Sequence, residues 1–542
     1  MLIASYVVVT TVIGGIRHYS PVPFWDFWGV FPFYEAVKAG DLGVWWAAHN
    51  EHRPVLARLL VYADFKLFDG ALWPLIVVNY LLALCGFLLL YAWLRLAQPS
   101  LRGTALVVGA CVLAVLAFSW SQYENLNWAF QGQFFLAQLL PMLSLYAFHR
   151  SLSQTGHAQR WFGLSVGAAI LAIGALASGV LALPFLAIAS LLTRQPARRT
   201  LGLWVLAAIG AWLYFWDAPS NPQHGTLGQA LREQPADLLR FILLYLSGPF
   251  GSAFGVWMPG VAMTASAVML MCCAVLAWRS WRQPAAYAHL VPLLAFLGFI
   301  VASAIGTGGG RTKLGVVTAL SSRYMTPAYL GWAVFFVLCV SLASRLASRR
   351  LLLAAGVFVC LMVLPLQRAA LQADYDQTFE QLVAALALKW RILDAPQLGH
   401  LFPEPAAEHL MAMSKPAVAQ SLSVFDSRLP GPVAVVPRPA APGSPDKDCD
   451  IRIELVSRIA TDARFVRIRG QIAIDHRPHR FAALTVTDAN GERIGAAIIH
   501  RRRIRGNAAF AGYMRADRLL EPATLSPDNR ACASTVRLAP PN

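Results

Sequence analysis

The sequence predicts a polytopic α-helical membrane protein of about eleven transmembrane helices, followed by a small, outward-facing C-terminal β-sandwich. Composition is the first of three observations behind this. Of 542 residues, 57% are hydrophobic and only 13% charged, with a mean hydropathy of +0.52, well above that of soluble globular chains. Second, runs of about sixteen to twenty residues with almost no charge recur from residue 1 to about 365, each long enough, or nearly so, to cross about 30 Å of hydrocarbon as a helix. Barrel strands would be about ten residues long and alternating, so a β-barrel is disfavoured. Third, the basic residues between these runs fall on alternate connections.

The apolar runs lie at 2–16, 73–94, 104–119, 133–148, 161–177, 180–193, 200–215, 257–278, 285–304, 326–344 and 351–366. A cleaved signal peptide competes for the first run, but the run lacks a basic start and a small-residue cleavage site after it. Residues 161–193 read as a hairpin turning at Ser178 and Gly179; one long tilted helix is the alternative. With every run a full crossing, Arg95 and Arg102, then Arg150 and Arg160, Arg194, Arg198 and Arg199, Arg279 and Arg282, and Arg345, Arg349 and Arg350 share one side. The positive-inside rule makes that side cytoplasmic. Segments 17–72, 120–132, 216–256 and 305–325, and everything after 366, then face outward, which in a bacterial inner membrane is the periplasm.

Three regions follow: a transmembrane domain at 1–366, an amphipathic helix and Pro/Ala-rich linker at 367–447, and a periplasmic β-sandwich at 448–542. Tyr375, Phe379, Leu382, Leu386 and Trp390 form a helical stripe. DIRIELVSRI, RFVRIRGQIAI, RFAALTVTDANGERIGAAIIH, AFAGYMRA and ASTVRLA read as strands, and DANGE marks a hairpin. The apolar stretch near 237–247 is too short to span and predicts a re-entrant or interfacial helix. Cys449 and Cys532, alone in the C-terminal region and near its ends, are candidates for a disulfide outside the cytoplasm. The formal charge of +17 is scattered over short loops and HRRRIRG at 500–506, so nucleic acid is not an expected partner.

Chemistry concentrates in the first long loop, 17–72, which crowds acids, histidines and arginines among aromatics and reads as a surface lying on the bilayer. Asp26, within FWDFW, suits a general base or metal ligand; capping the helix that starts near Phe31 is the plain alternative. His49, Glu51, His52 and Arg53 form the densest polar cluster. As a helix, it would put His49 and His52 on one face, with Arg53 or His52 turned toward a phosphate or sugar; loop packing is the alternative. The order His, Asn, Glu, His is not the zinc-peptidase pattern, so no metal site is assigned. In SWSQYENLNWAFQGQ, Glu124, Asn125, Asn127, Trp128 and Gln131 suit sugar recognition, though interfacial belts also use tryptophan. Arg311, Lys313 and Arg323, with Tyr324, add positive charge at the same outward level, suited to a phosphate-bearing lipid; headgroup anchoring is the alternative.

FWDFW, HNEHRP at 49–54, WSQYENLNWAFQGQ and SSRYMTP at 321–327, with the topology of residues 1–370, resemble the GT-C class of integral-membrane glycosyltransferases. That resemblance implies a GT-C-like membrane domain, a polyprenyl-phosphate-linked sugar donor and a glycan, lipid or protein acceptor. It implies Asp26 as the leading base, Glu51 or Glu124 as second carboxylate, and Arg323 with Arg311 or Lys313 as the phosphate clamp. A divalent metal, Mg or Mn, is used by some such enzymes, but this loop has no adjacent acidic pair. A polysaccharide polymerase or ligase is the nearer alternative. A secondary transporter or structural assembly subunit is the further one, although the spans carry almost no ionisable residues at their centres.

Overall fold

Each apolar run coincides with a helix in the computed structural model, which describes residues 1–153, 156–217, 225–343, 346–403, 407–431, 450–474, 478–504, 506–527 and 534–536. Cys449 and Cys532 lie outside the described residues. Six helices are long and apolar enough to cross a membrane: Trp73–Ala97, Gly103–Asn127, Pro259–Arg282, Ala288–Leu314, Ser322–Leu342 and Ser348–Leu371. Leu2–His18 and Ala177–Leu192 are apolar but shorter. Residues 161–193 form two helices, Ala158–Ala172 and Ala182–Leu192. The break falls at 173–176, ahead of the expected turn, because Gly179 packs on the end of the first helix. A Cβ there would sit 1.8 Å from the Ala172 carbonyl oxygen, so only glycine fits.

The contacts divide the chain into two units that do not follow chain order. The first comprises Met1–Arg17, Trp45–Leu60 and Leu75–Gln372. Its core is dominated by Val291–Arg311 and Ser322–Leu342, whose Phe296, Phe299, Tyr329 and Val334 are fully buried. Several polar groups inside this apolar bundle pair with one another, which lowers the cost of placing them in hydrocarbon. The Trp93 indole donates to His149 Nδ1 at 3.0 Å, and the Tyr329 hydroxyl lies 3.1 Å from both Ser121 and Ser252.

The second unit comprises His18–Val44, Val61–Pro74 and Ala373–Asn542. Its described strands form one antiparallel sheet: β1 (Ile451–Arg458), β2 (Phe465–Ala473), β3 (Ala483–Thr487), β4 (Arg493–Ile504), β5 (Asn507–Arg515), β6 (Ala523–Pro527) and β7 (Ser534–Val536), in the order β1-β2-β5-β4-β3-β6-β7. The expected sandwich is therefore corrected to a single curved sheet, a half-barrel. Its second layer is helical. Tyr375–Lys389 packs on β4 and β5, while Ile468, Leu484, Phe510 and Met514 line a core on the sheet's other face. Curling is possible because Gly512 lets β4 and β5 close up; a Cβ there would meet the Ala496 oxygen at 2.1 Å. DANGE closes the β3–β4 hairpin, with Asp488 accepting the Asn490 and Glu492 amides and Gly491 at φ +81. Across the sheet, Asp394 pairs with Arg467 at 2.5 Å and accepts the Tyr513 hydroxyl at 2.9 Å, so a carboxylate buried to 2% exposure is fully compensated.

The aromatic residues of the first loop turn inward in this unit. Phe27, Trp28, Phe31 and Phe65 are at most 1% exposed, with Phe31 and Phe65 packed edge to face at 5.4 Å and Trp28 6.1 Å from Phe425. Burying such rings is a large apolar gain, on the order of 2–3 kcal/mol each. They serve as core here, and the loop is not merely a surface.

Asp64 sits beside this core, 2% exposed. One carboxylate oxygen accepts the Leu72 amide at 3.2 Å; the other is buried without a hydrogen bond among the described residues. Burial pushes its pKa from 3.8 up to about 7. The folded chain thus keeps a proton that the unfolded chain releases above pH 3.8. Stability from this group is greatest below that pH and falls as pH rises toward 7, by roughly 4 kcal/mol at most. Asp64→Asn is expected to flatten that slope and raise the melting temperature above pH 7. Thermal unfolding in detergent across pH checks it, and identical pH profiles for variant and parent would refute the burial argument.

Candidate functional site

Three apolar helices bring their ends together in the first unit. Glu124 lies near the end of Gly103–Asn127, Arg311 near the end of Ala288–Leu314, and Arg323 in the first turn of Ser322–Leu342. Glu124 Oε2 is 3.3 Å from Arg323 Nε. The junction is fixed by neighbours: the Ser322 hydroxyl accepts the Glu124 amide at 3.1 Å and donates to the Ser121 carbonyl at 2.9 Å. Asn125 donates to the Arg323 carbonyl and to Thr326 Oγ1, both at 2.7 Å.

A second ion pair joins from the first loop, where Glu51 Oε1 lies 3.0 Å from Arg311 Nη2 and 3.7 Å from His52 Nε2. The buried Tyr324 phenol lies where the charges of Arg311, Arg323, Glu51 and Glu124 all act on it. Its ring packs against Tyr245 at 5.3 Å. Both arginines are only about a quarter exposed, at 26% and 27% of side-chain area, so their charges are weakly screened by water.

HNEHR is not helical, which corrects the expected shared helical face. His49 and His52 exchange backbone hydrogen bonds at 2.7 and 3.0 Å around a tight turn, with Asn50 at φ +51. The turn places the His49 ring 5.4 Å from Phe130 and lets His52 Nδ1 accept the Ala177 amide at 3.5 Å. Arg53 is corrected from an anion ligand to an anchor. It is 7% exposed, and its guanidinium donates to the carbonyls of Tyr214 (2.8 Å), Trp46 and Trp216 (both 2.7 Å). Those carbonyls take the directions in which a phosphate would bind.

The other expected residues are dispersed. Trp128 is half-buried, 6.0 Å from Phe130, and its carbonyl accepts from Asn79 at 3.0 Å; Asn127 is half-buried beside it. Lys313 is exposed, lining a narrow cleft with Gln229, Glu233 and Thr312. Asp26 belongs to the second unit, in the 3-10 turn Trp25–Gly29, half-buried between buried Phe27 and Trp28 on one side and Trp25 on the other. Trp25 takes φ +49, and its amide donates to the Leu401 carbonyl at 2.9 Å, which fixes the turn. No hydrogen bond or ion pair engages the Asp26 carboxylate among the described residues. Nor do three or more His, Cys, Asp or Glu side chains gather there as a metal-ligand set.

The sequence did not single out Tyr245, Ser322 or Thr326, whereas Asn125 is among the sugar-suited amides beside Glu124. Ser322 and Thr326 flank Arg323 within SSRYMTP, so adjacency to a charged residue was their one signal. Tyr245 carries none, since only tertiary packing brings it to Tyr324. No family model matches the sequence, and neither a curated protein nor a solved structure matches it.

Proposed function

We propose that the protein is a membrane glycosyltransferase. It moves a sugar from a polyprenyl-phosphate donor to a cell-envelope glycan, lipid or protein on the periplasmic face of the inner membrane. The observation that carries this reading is the meeting of Arg311 and Arg323, through Glu51 and Glu124, around Tyr324 at the ends of three apolar helices. Paired arginines at a helix-end level suit a lipid phosphate, whose charge grows as the sugar leaves. The far ends of those helices adjoin Arg102, Arg282 and Arg349, which supports an outward site by the positive-inside rule.

In this reading Arg311 and Arg323 stabilise the departing phosphate; the resemblance to GT-C enzymes assigns Asp26 the acceptor hydroxyl proton in an inverting displacement. Glu51 and Glu124 hold the arginines in place before the donor arrives. The test is release of polyprenyl phosphate by the purified protein from a panel of lipid-linked sugars. Time-dependent release that requires an acceptor is expected for one of them. A panel inert with every acceptor fraction from the cell envelope would refute the reading.

A further inference from the structure

Two of the chain's three entries into the second unit follow apolar helices, which end at His18 and Leu371. Tyr19 and Tyr375 follow one and four residues later in the chain. Both rings carry an arginine of the sheet. The Arg480 guanidinium lies 4.5 Å over Tyr19, and that of Arg501 lies 5.3 Å over Tyr375. Arg501 lies close enough for its charge to act on Arg480. The two tethers thus converge on one basic edge.

That edge continues into the β4–β5 hairpin. Arg502 is 61% exposed and 3.9 Å from an exposed Asp376, which also meets His500 at 2.8 Å. Ile504, at the tip beside Gly506 (φ +88), is 63% exposed. An apolar side chain beside an exposed arginine at a hairpin tip has the character of an interface-inserting group. Arg502, exposed beside it, matches an anionic headgroup, and its stem can cross apolar surface while the charge stays wet; Arg480 and Arg501 are half-buried behind it.

We propose that Arg480, Arg501 and Arg502 bind the phosphates of anionic phospholipids while Ile504 enters the interface, docking the half-barrel on the bilayer. A soluble polyanion would share the charge but would give neither Ile504 nor the tethers a role.

Hydrogen exchange of the full-length protein in lipid nanodiscs tests this, with neutral phosphatidylcholine compared against discs containing phosphatidylglycerol. Amides of 499–508 are expected to exchange several-fold more slowly in the anionic discs, about fivefold for each arginine engaged at low salt. High salt should reverse this in the unmodified protein, a readout that needs no variant to fold. Arg501→Gln with Arg502→Gln should remove the difference, and Ile504→Ser should reduce it. Equal exchange in both discs overturns the proposal. So does slowing in neutral discs by added polyphosphate that exceeds the effect of anionic lipid.

Discussion

Asp26→Asn is expected to reduce sugar transfer by about 10²–10⁴-fold, the usual contribution of a positioned general base, while leaving the protein folded. Both halves follow from how Asp26 is held. Its backbone lies in a short turn whose neighbours, Phe27 and Trp28, are buried in the aromatic core, and whose preceding residue is tied to Leu401. The carboxylate position is therefore set by packing, while the carboxylate itself engages no described residue. Replacing it by an isosteric amide breaks no internal bond and leaves no partner charge exposed, so stability should change by only about 0.5 kcal/mol. The amide cannot accept the acceptor's proton, so kcat should fall far more than the KM for donor. Asp26→Glu, which keeps the base but moves it, should recover part of the rate. Full turnover by Asp26→Asn, with unchanged melting temperature, would remove Asp26 from the mechanism and leave the arginine cluster standing.

The helices were legible because their signal is local: a long apolar run has few alternatives to a helix in hydrocarbon. The strands of the half-barrel were legible for the same reason, with the exception of β6, whose EPATLSPD carries two prolines and little alternation. What covers a sheet is a tertiary matter. The stripe of Phe379, Leu382 and Leu386 announced an amphipathic helix, yet nothing local said that it would roof β4 and β5 and so make a second sheet layer unnecessary. Partners of the first loop were equally hidden. Its aromatic residues look alike in sequence whether they face a bilayer or a core, and packing against Phe65 and Phe425 decides for the core. HNEHR misled because its helix-like spacing of three was overridden by Asn50, a residue type that tolerates positive φ, so the segment turned back on itself. Arg53 then met three carbonyls, a role that no spacing reveals. The pairing of Glu51 with Arg311 and of Glu124 with Arg323 spans about two hundred residues or more in each case, so the sequence offered the charges without their partners.

Those pairs make the second large prediction. Arg311→Ala and Arg323→Ala are each expected to lower transfer by about 10²–10³-fold, the cost of losing one charge-stabilising donor from a weakly screened site. Each change also strands a partly buried carboxylate, Glu51 or Glu124, and that alone costs stability. The catalytic and structural effects are separated by removing both charges of a pair. Arg311→Ala with Glu51→Gln, and Arg323→Ala with Glu124→Gln, should regain most of the melting temperature lost by the single variants while remaining slow. Arg311→Lys and Arg323→Lys should sit between, because lysine keeps the charge but not the planar fork that matches phosphate. The single carboxylate variants give the opposite sign. With Glu51→Gln or Glu124→Gln the arginine loses its internal counter-ion, so the donor no longer competes with a carboxylate and should bind more tightly, with a lower KM. If the paired variants regain both stability and rate, the four charges are a structural lock and the phosphate is held elsewhere. If they regain stability alone, the arginines act on the donor.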